Sequence, residues 1–177
     1  MIMIESFNSN FALKKNAEGK EYTPHFNNLT RSGLYFKNFY GNSIQTSKGQ
    51  FATLCSLFPH SQKKVFSRFP HNKFRCLPTI LGEFGYQTTF LKGYHDLSFD
   101  NTGNFMKTIG FKETFSTPDL LKDEVDPKHS WGWGIEDRFS YDELIKLMKN
   151  SKKPFFGLFH TVSNHINFDK VPVDQRL

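Results

Sequence analysis

Three polar residues stand where an α/β sheet would place a catalytic site. Glu5 ends a short apolar run, Thr46 begins an apolar helical pattern, and His165 follows a second apolar run at 155–159. Open α/β sheets bind ligands beyond the carboxyl ends of their strands. A threonine hydroxyl becomes an effective nucleophile when a base or a metal ion stabilises its alkoxide, and a helix amino terminus favours a bound phosphate or sulfate. This pattern predicts a catalytic cleft that favours a bound phosphate or sulfate.

Each of these residues also has a simpler interpretation. Thr46 could serve only as a helix N-cap, which is a common role for threonine. Glu5 could be a strand-end carboxylate in an ion pair, because a buried carboxylate needs a partner or a metal. His165 could be an incidental loop histidine, or it could contact an anionic substrate or donate a proton. The local patterns leave these alternatives open.

A loop segment with two large aromatic residues offers a further ligand contact. Residues 131–134 read Trp-Gly-Trp-Gly, and they could form the floor of a pocket or a local hydrophobic plug. Asp137 and Arg138 follow closely. Both could position a polar headgroup, since arginine captures phosphate through charge-assisted, bidentate hydrogen bonds.

Helical and strand patterns alternate along the chain and predict the elements that would carry these residues. Helices are predicted at 24–32, 46–58, 77–84 and 104–109, and a capping box at Ser140 and Glu143 predicts another. Strands are predicted at 34–40, 87–91 and 155–159, and residues 1–4 are interpreted as the end of a buried strand. The segment 59–75 has no clear periodicity and is interpreted as a surface excursion. This alternation predicts an α/β domain with a mainly parallel sheet.

The composition narrows the choice of partners. A net charge of +6 suits an anionic substrate, a nucleic acid or an anionic membrane surface. The basic residues are scattered and form no stripe with interleaved aromatics, so no nucleic-acid partner is expected.

Cys55 lies on an apolar helical stripe and is expected to be a buried free thiol. No apolar run approaches the roughly 20 residues that span a bilayer, and no signal peptide is apparent.

The ordered motifs resemble the sulfatase branch of the alkaline phosphatase superfamily, especially its lipoteichoic acid synthase-like phosphoglycerol transferases. The resemblance covers nearly the whole chain and rests on the order and spacing of the motifs. The matching stretches are Ile4-Glu5-Ser6-Phe7, Thr23-Pro24-His25-Phe26, Thr46-Ser47-Lys48-Gly49, Leu77-Pro78-Thr79-Ile80, Phe99-Asp100-Asn101, Trp133-Gly134-Ile135-Glu136-Asp137 and Thr161-Val162-Ser163-Asn164-His165.

This resemblance implies a metal-dependent mechanism. Glu5 and Thr46 would be ligands of a divalent cation, expected to be manganese, with zinc, magnesium or calcium as alternatives. Thr46 would be the nucleophile and form a phospho-threonine intermediate, while Trp133 and His165 would hold the phosphoglycerol group and Asp137 or Arg138 would assist. Sulfatases of this superfamily carry a Cys or Ser in a C/S-x-P-x-R motif. The sequence Thr46-Ser47-Lys48-Gly49-Gln50 lacks the Pro and the Arg, which favours the phosphotransferase branch.

The resemblance also implies that the site is incomplete. The family adds a downstream Asp-His pair to the metal site, and no Asp-His-Gly occurs in this sequence. Residues 1–177 are therefore expected to form a partial catalytic domain, incomplete at its carboxyl end, with little activity alone and marginal solubility. The parent protein is expected at the bacterial cell membrane, acting outside the cytoplasm on a phospholipid headgroup or another anionic ester. The alternatives are a phosphoethanolamine transferase, a phosphodiesterase, a sulfatase, and an inactive remnant or binding module.

Overall fold

A four-stranded, entirely parallel sheet forms the centre of the computed structural model, which describes residues 1–122 and 125–165. The expected domain at 1–177 also includes residues outside that part. The strands are β1 (Ile2–Met3), β2 (Gln87–Lys92), β3 (Glu113–Ser116), β4 (Ser130–Trp131), β5 (Gly134–Ile135) and β6 (Phe155–His160). The helices are α1 (Pro24–Ser32), α2 (Thr46–Cys55), α3 (Val65–Arg68), α4 (Leu77–Glu83), α5 (Thr102–Thr108), α6 (Thr117–Leu121) and α7 (Asp137–Asn150).

The two central strands bring the ends of two apolar runs to one edge of the sheet. The strand order is β1-β6-β2-β3, and β4 and β5 form a separate antiparallel pair. Phe90 and Leu91 of β2 and Phe159 of β6 are fully buried, which explains their continuous apolar sequence. The register pairs Lys92 with His160, so the last residues of the two strands lie side by side. The predicted parallel sheet is confirmed, whereas β3 had not been predicted.

The buried core ties the second helix to the fourth through a disulfide bond. Cys55, the last residue of α2, is buried as predicted, but it is bonded to Cys76, which immediately precedes α4. The prediction of a free thiol is therefore wrong. The pairing could not be predicted from the spacing, because 21 positions separate the two cysteines and only the packing of α2 against α4 brings them together.

The strand predicted at 34–40 is absent. This segment is irregular, and its large side chains are exposed: Leu34 is 92% exposed, Phe36 70% and Phe39 78%. An alternating pattern forms a strand only when a neighbouring strand accepts its backbone hydrogen bonds. Within the described part of the chain, none of the strands pairs with this segment.

Two helix boundaries also differ from the predictions. Helix α2 ends at Cys55 because Ser56 adopts a left-handed conformation, and Phe58 lies beyond the helix with 89% of its surface exposed. Helix α7 begins at Asp137 rather than near Ser140. The Ser140 hydroxyl is 2.7 Å from that of Thr117 in the interior, so the predicted capping box does not form.

Two further segments are buried differently from the predictions. The first strand is an edge strand of the described sheet, and Ile2 is 47% exposed instead of buried. The supposed surface excursion at 59–75 contains α3, whose Val65 and Phe66 belong to the core. Helix α3 could not be predicted from the sequence, because four residues are too few to show a helical period.

None of the helices in the described ranges is both long enough and apolar enough to cross a membrane.

Candidate active site

A cavity of about 370 Å³ lies at the carboxyl edge of the parallel sheet. Glu5 reaches it from beyond β1, Thr46 from the first residue of α2, and Lys92 and His160 from the ends of β2 and β6. Trp133 and His165 lie in the same wall. The remaining lining residues are Ser6, Ile44, Gln45, Ser47, Gln50, Lys64, Tyr94, Phe99, Asp100, Thr102, Thr161 and Val162.

The Thr46 hydroxyl donates a hydrogen bond to the Glu5 carboxylate, with 3.1 Å between Oγ1 and Oε2. The N-cap of α2 is Gln45, so Thr46 is the first helical residue and does not serve as the cap. The pairing of β1 with β6 positions Glu5 beside the residues that follow β6. Its backbone N–H donates to Thr161 Oγ1 at 2.8 Å. The pair predicted from two distant motifs is thus in direct contact.

The Glu5 carboxylate is ionised in this environment. Burial by itself would raise its pKa. His160, whose Nε2 lies 3.3 Å from Glu5 Oε2, lowers the pKa through its hydrogen bond and charge, and the Thr46 hydrogen bond and the charge of His165 lower it further. Together they hold the pKa of Glu5 at about 2. An anion of such low basicity suits the binding of a cation better than the uptake of a proton.

Lys92 places a cation in the cavity wall. The residue is only 8% exposed, and its ammonium lies 5.2 Å from the ring centroid of Tyr94 and 5.9 Å from that of Phe99. Burial lowers the pKa of Lys92, while the charges of Glu5 and Asp100 oppose that shift. Sequence reasoning missed both Lys92 and His160. The available signal was a basic residue directly after each apolar run, at 87–91 and 155–159.

Trp133 and His165 form one contact in the cavity wall. Their ring centroids are 4.0 Å apart, and Trp133 also packs against Tyr94 at 5.5 Å. The β4–β5 turn can approach so closely because position 134 is a glycine. A Cβ on Gly134 would lie 2.1 Å from the carbonyl oxygen of Gly93. The Trp-Gly-Trp-Gly segment thus contributes Trp133 both to the cavity and to an aromatic cluster.

Asp137 lies outside the set of residues that line the cavity. Its Oδ1 accepts a hydrogen bond from the Val162 N–H at 2.7 Å, and its Oδ2 accepts one from the Ser163 N–H at 3.1 Å. Burial raises the pKa of Asp137, and these hydrogen bonds oppose the increase. Asp137 therefore fixes the segment that leads to His165.

Arg138 is also outside the cavity lining. Its Nε is 2.9 Å from Oε2 of Glu136, whose side chain is 2% exposed. His129 Nδ1 lies 2.9 Å from the other carboxylate oxygen of Glu136. The Arg138 guanidinium also covers the Phe139 ring at 4.8 Å. These contacts anchor the start of α7 and the β4–β5 turn.

The donors near Thr46 fit a divalent cation only in part. Carboxylate and hydroxyl oxygens such as those of Glu5 and Thr46 suit magnesium or manganese, and His160 Nε2 is adjacent. Over residues 1–122 and 125–165, no three His, Cys, Asp or Glu side chains are arranged to hold a metal ion. Within these ranges, Glu5 and Thr46 would supply only part of the ligand set that such an ion requires.

Two solved structures share this fold. The crystal structure of the lipoteichoic acid synthase LtaP from Listeria monocytogenes matches 99% of this chain and 42% of its own length, with a TM-score of 0.83 and 22% identity. A protein in the alkaline phosphatase superfamily from Vibrio parahaemolyticus matches 94% of this chain and 40% of its own length, with a TM-score of 0.78 and 25% identity. The predicted alkaline-phosphatase-like sheet flanked by helices is confirmed.

Sequence relatives agree with this fold. The lipoteichoic acid synthase-like YvgJ of Bacillus subtilis (strain 168) is 29% identical over 98% of this chain and 28% of its own length. Lipoteichoic acid synthase 1 of the same organism is 31% identical over 95% of this chain and 26% of its own length. The chain thus spans less than a third of these relatives. The sulfatase family model matches residues 1–176.

Proposed function

Because the chain belongs to the sulfatase family, we propose that it forms part of the catalytic domain of a metal-dependent phospho-ester transferase with Thr46 as its nucleophile. The observation that carries this proposal is the 3.1 Å contact between the Thr46 hydroxyl and the ionised Glu5 carboxylate in a cavity at the sheet edge. The substrate is the phosphoglycerol headgroup of an anionic phospholipid, in keeping with relatives named lipoteichoic acid synthases.

The reaction has two displacement steps. Thr46 loses its hydroxyl proton to water as Oγ1 attacks the phosphorus, the bond from phosphorus to the diacylglycerol oxygen breaks, and phospho-threonine forms. The departing lipid oxygen takes up a proton, for which His165 is our candidate donor. An acceptor hydroxyl then attacks the phosphorus and returns a proton to His165, the bond from phosphorus to Thr46 Oγ1 breaks, and Thr46 regains a proton from water. A divalent metal ion, which we propose to be manganese held by Glu5 and Thr46, supplies stabilisation of the threonine alkoxide when bound.

Lys92 binds a non-bridging phosphoryl oxygen during this reaction. It is a buried cation in the same wall as Thr46, and an anionic phosphoryl group offsets the cost of its burial. The negative charge of the transferring group is thereby balanced where it lies, which is the usual electrostatic contribution to phosphoryl transfer.

Three further residues act on the headgroup together with His165, two of them indirectly. Trp133 and His165 contact the glycerol moiety from the cavity wall. Asp137 is a positioning residue because it holds the backbone that leads to His165. Arg138 is a positioning residue through its ion pair with buried Glu136, beside the turn that carries Trp133.

Two alternatives have observations of their own. A sulfatase is disfavoured because Gln50 stands where the sulfatase motif has arginine, and its buried amide nitrogen carries no positive charge. An inactive remnant or binding module would fit the partial metal site of the described residues. Membership of the sulfatase family is compatible with a transferase, a sulfatase and an inactive remnant or binding module. Modification of Thr46 therefore distinguishes among these functions.

The parent protein acts outside the cytoplasm and is anchored to the cell membrane. The Cys55–Cys76 disulfide supports the first part of this proposal, because disulfides persist in oxidising compartments. The lipid substrate supports the second part.

Mass spectrometry of Thr46 tests the proposed function. The chain is fused to the downstream part of a lipoteichoic acid synthase that supplies the Asp-His pair, and is incubated with phosphatidylglycerol and manganese. We expect a phosphoglycerol adduct on the peptide containing Thr46. The adduct should be absent from Thr46→Ala, strongly reduced in Glu5→Ala and absent without manganese. Modification at another residue, or none in a folded fusion protein, would refute the proposal.

A further inference from the structure

An ion pair that plays no part in the proposed chemistry lies in the wall of the same cavity. Lys64 Nζ is 2.7 Å from each carboxylate oxygen of Asp100. The two side chains are 38% and 23% exposed, so they are accessible to a ligand in the cavity that they line.

The pair is held rigidly by the core beneath it. Asp100 and Asn101 both adopt left-handed conformations, with φ of 56° and 58°, which persist only where the surrounding structure enforces them. The Asn101 side-chain amide donates to the Phe66 carbonyl at 2.9 Å. Phe66 is fully buried and stacks on Phe105 with 3.9 Å between the ring centroids. Because Lys64 immediately precedes the helix of Phe66, one core fixes both partners.

Lys92 relates this pair to the reacting group. The ammonium of Lys92 lies 5.9 Å from the ring centroid of Phe99, the residue before Asp100, and Lys92, Glu5 and Asp100 line the same cavity. A phosphoryl group bound by Lys92 and attacked by Thr46 would have Glu5 on one side. The part of the headgroup beyond the phosphorus would lie in the same cavity as Asp100 and Lys64, which line its wall.

We infer that the Lys64–Asp100 pair selects a headgroup that carries neutral hydroxyls over one that carries an amine, an inference that rests on the proposed function. A hydroxyl donates to the Asp100 carboxylate and accepts from the Lys64 ammonium, so a polyol satisfies both partners. A protonated amine offers only donors. It meets a carboxylate that Lys64 already neutralises, and it is repelled by Lys64 and Lys92.

The test compares two soluble probes, glycerol phosphate and phosphoethanolamine, by calorimetry with the chain and manganese. The unchanged chain should bind glycerol phosphate about tenfold more tightly, the size of one hydrogen bond to a charged group. Lys64→Met should raise the affinity for phosphoethanolamine, because it frees the carboxylate for the amine. Asp100→Asn should weaken glycerol phosphate by about tenfold without improving phosphoethanolamine.

Control variants separate selectivity from folding. Lys64→Arg should keep the preference because it keeps the ion pair. Arg75→Met removes an exposed ion pair with Glu83, whose residues do not line the cavity, and should leave both affinities unchanged. An affinity ratio that stays within about twofold in Lys64→Met and Asp100→Asn would overturn the inference, as would failure of the folded chain to bind either probe. A changed ratio without any Thr46 adduct would refute the proposed chemistry alone.

Discussion

At the scale of single residues, the cavity contains an ionised carboxylate, Glu5, and a buried cation, Lys92. Glu5 is an anion at neutral pH because His160, Thr46 and the charge of His165 together outweigh the effect of its burial on its pKa. Lys92 has the opposite character, since it is a cation kept in a place where burial disfavours its charge. Residues that cost stability in the free protein often owe their presence to a ligand, and the phosphoryl group is the ligand we propose for Lys92.

The Lys92→Met variant separates the stability cost of burying the lysine charge from the proposed role of Lys92 in binding a phosphoryl group. Removing the cation should weaken glycerol phosphate binding by about tenfold and raise the free energy of unfolding at neutral pH. Because burial lowers the folded-state pKa of Lys92, the charged form destabilises the fold below that pKa. The gain in Lys92→Met should therefore disappear as the pH rises above the lysine's ordinary value of 10.5. Calorimetry and chemical denaturation across pH measure both effects.

Lys48→Met provides the matched control. Lys48 is also buried, but its ammonium donates to the Ser61 carbonyl, and it does not line the cavity. This substitution should lower stability by about 1 kcal/mol and leave glycerol phosphate binding unchanged. Equal effects of the two substitutions on binding would argue against a direct role for Lys92.

At the scale of elements, the β4–β5 turn fits against the end of β2 without any spare space. Gly134 lies against the Gly93 backbone, and the turn carries Trp133 into the cavity wall beside His165. Asp137 secures the opposite side by binding the backbone of Val162 and Ser163. The wall thus depends on close backbone contacts between three separate segments.

Gly134→Ala should disrupt this wall, because the new Cβ would meet the Gly93 carbonyl, which is backbone and cannot move aside. We expect a loss of roughly 2 kcal/mol of stability or more together with weaker binding of glycerol phosphate. Gly132→Ala is the control, since a Cβ there meets no atom within 4 Å. It should change stability by less than about 0.5 kcal/mol. Thermal denaturation of the two variants decides between these outcomes.

At the scale of the whole molecule, the segment 34–44 exposes six large hydrophobic side chains, and clustered exposed apolar residues favour association. We therefore expect the isolated chain to self-associate. Replacing Phe36, Phe39 and Tyr40 by serine should shift sedimentation velocity profiles toward the monomer. Replacing Phe58 and Phe84, which are 89% and 75% exposed elsewhere, should have a smaller effect. A monomeric, cooperatively melting wild-type chain would contradict this prediction.

The sequence by itself determined the elements whose patterns are local and long. The helices that begin at Pro24, Thr46 and Leu77 and the apolar strands β2 and β6 all follow from spacing, caps and burial on both faces. The order of the motifs likewise determined the family, and with it the expectation that Glu5 and Thr46 belong together. Local signals sufficed because each depends on neighbours within a few positions.

Only the tertiary structure decided what depends on partners distant in the chain. The Cys55–Cys76 bond, the Lys64–Asp100 pair and the contact of His160 with Glu5 join segments whose spacing carries no periodic signal. The segment 34–40 shows the converse, since its strand pattern stays unpaired where the described sheet offers no neighbour. A strand or an ion pair exists only when its other half is close in space, and proximity in space is what the fold alone supplies.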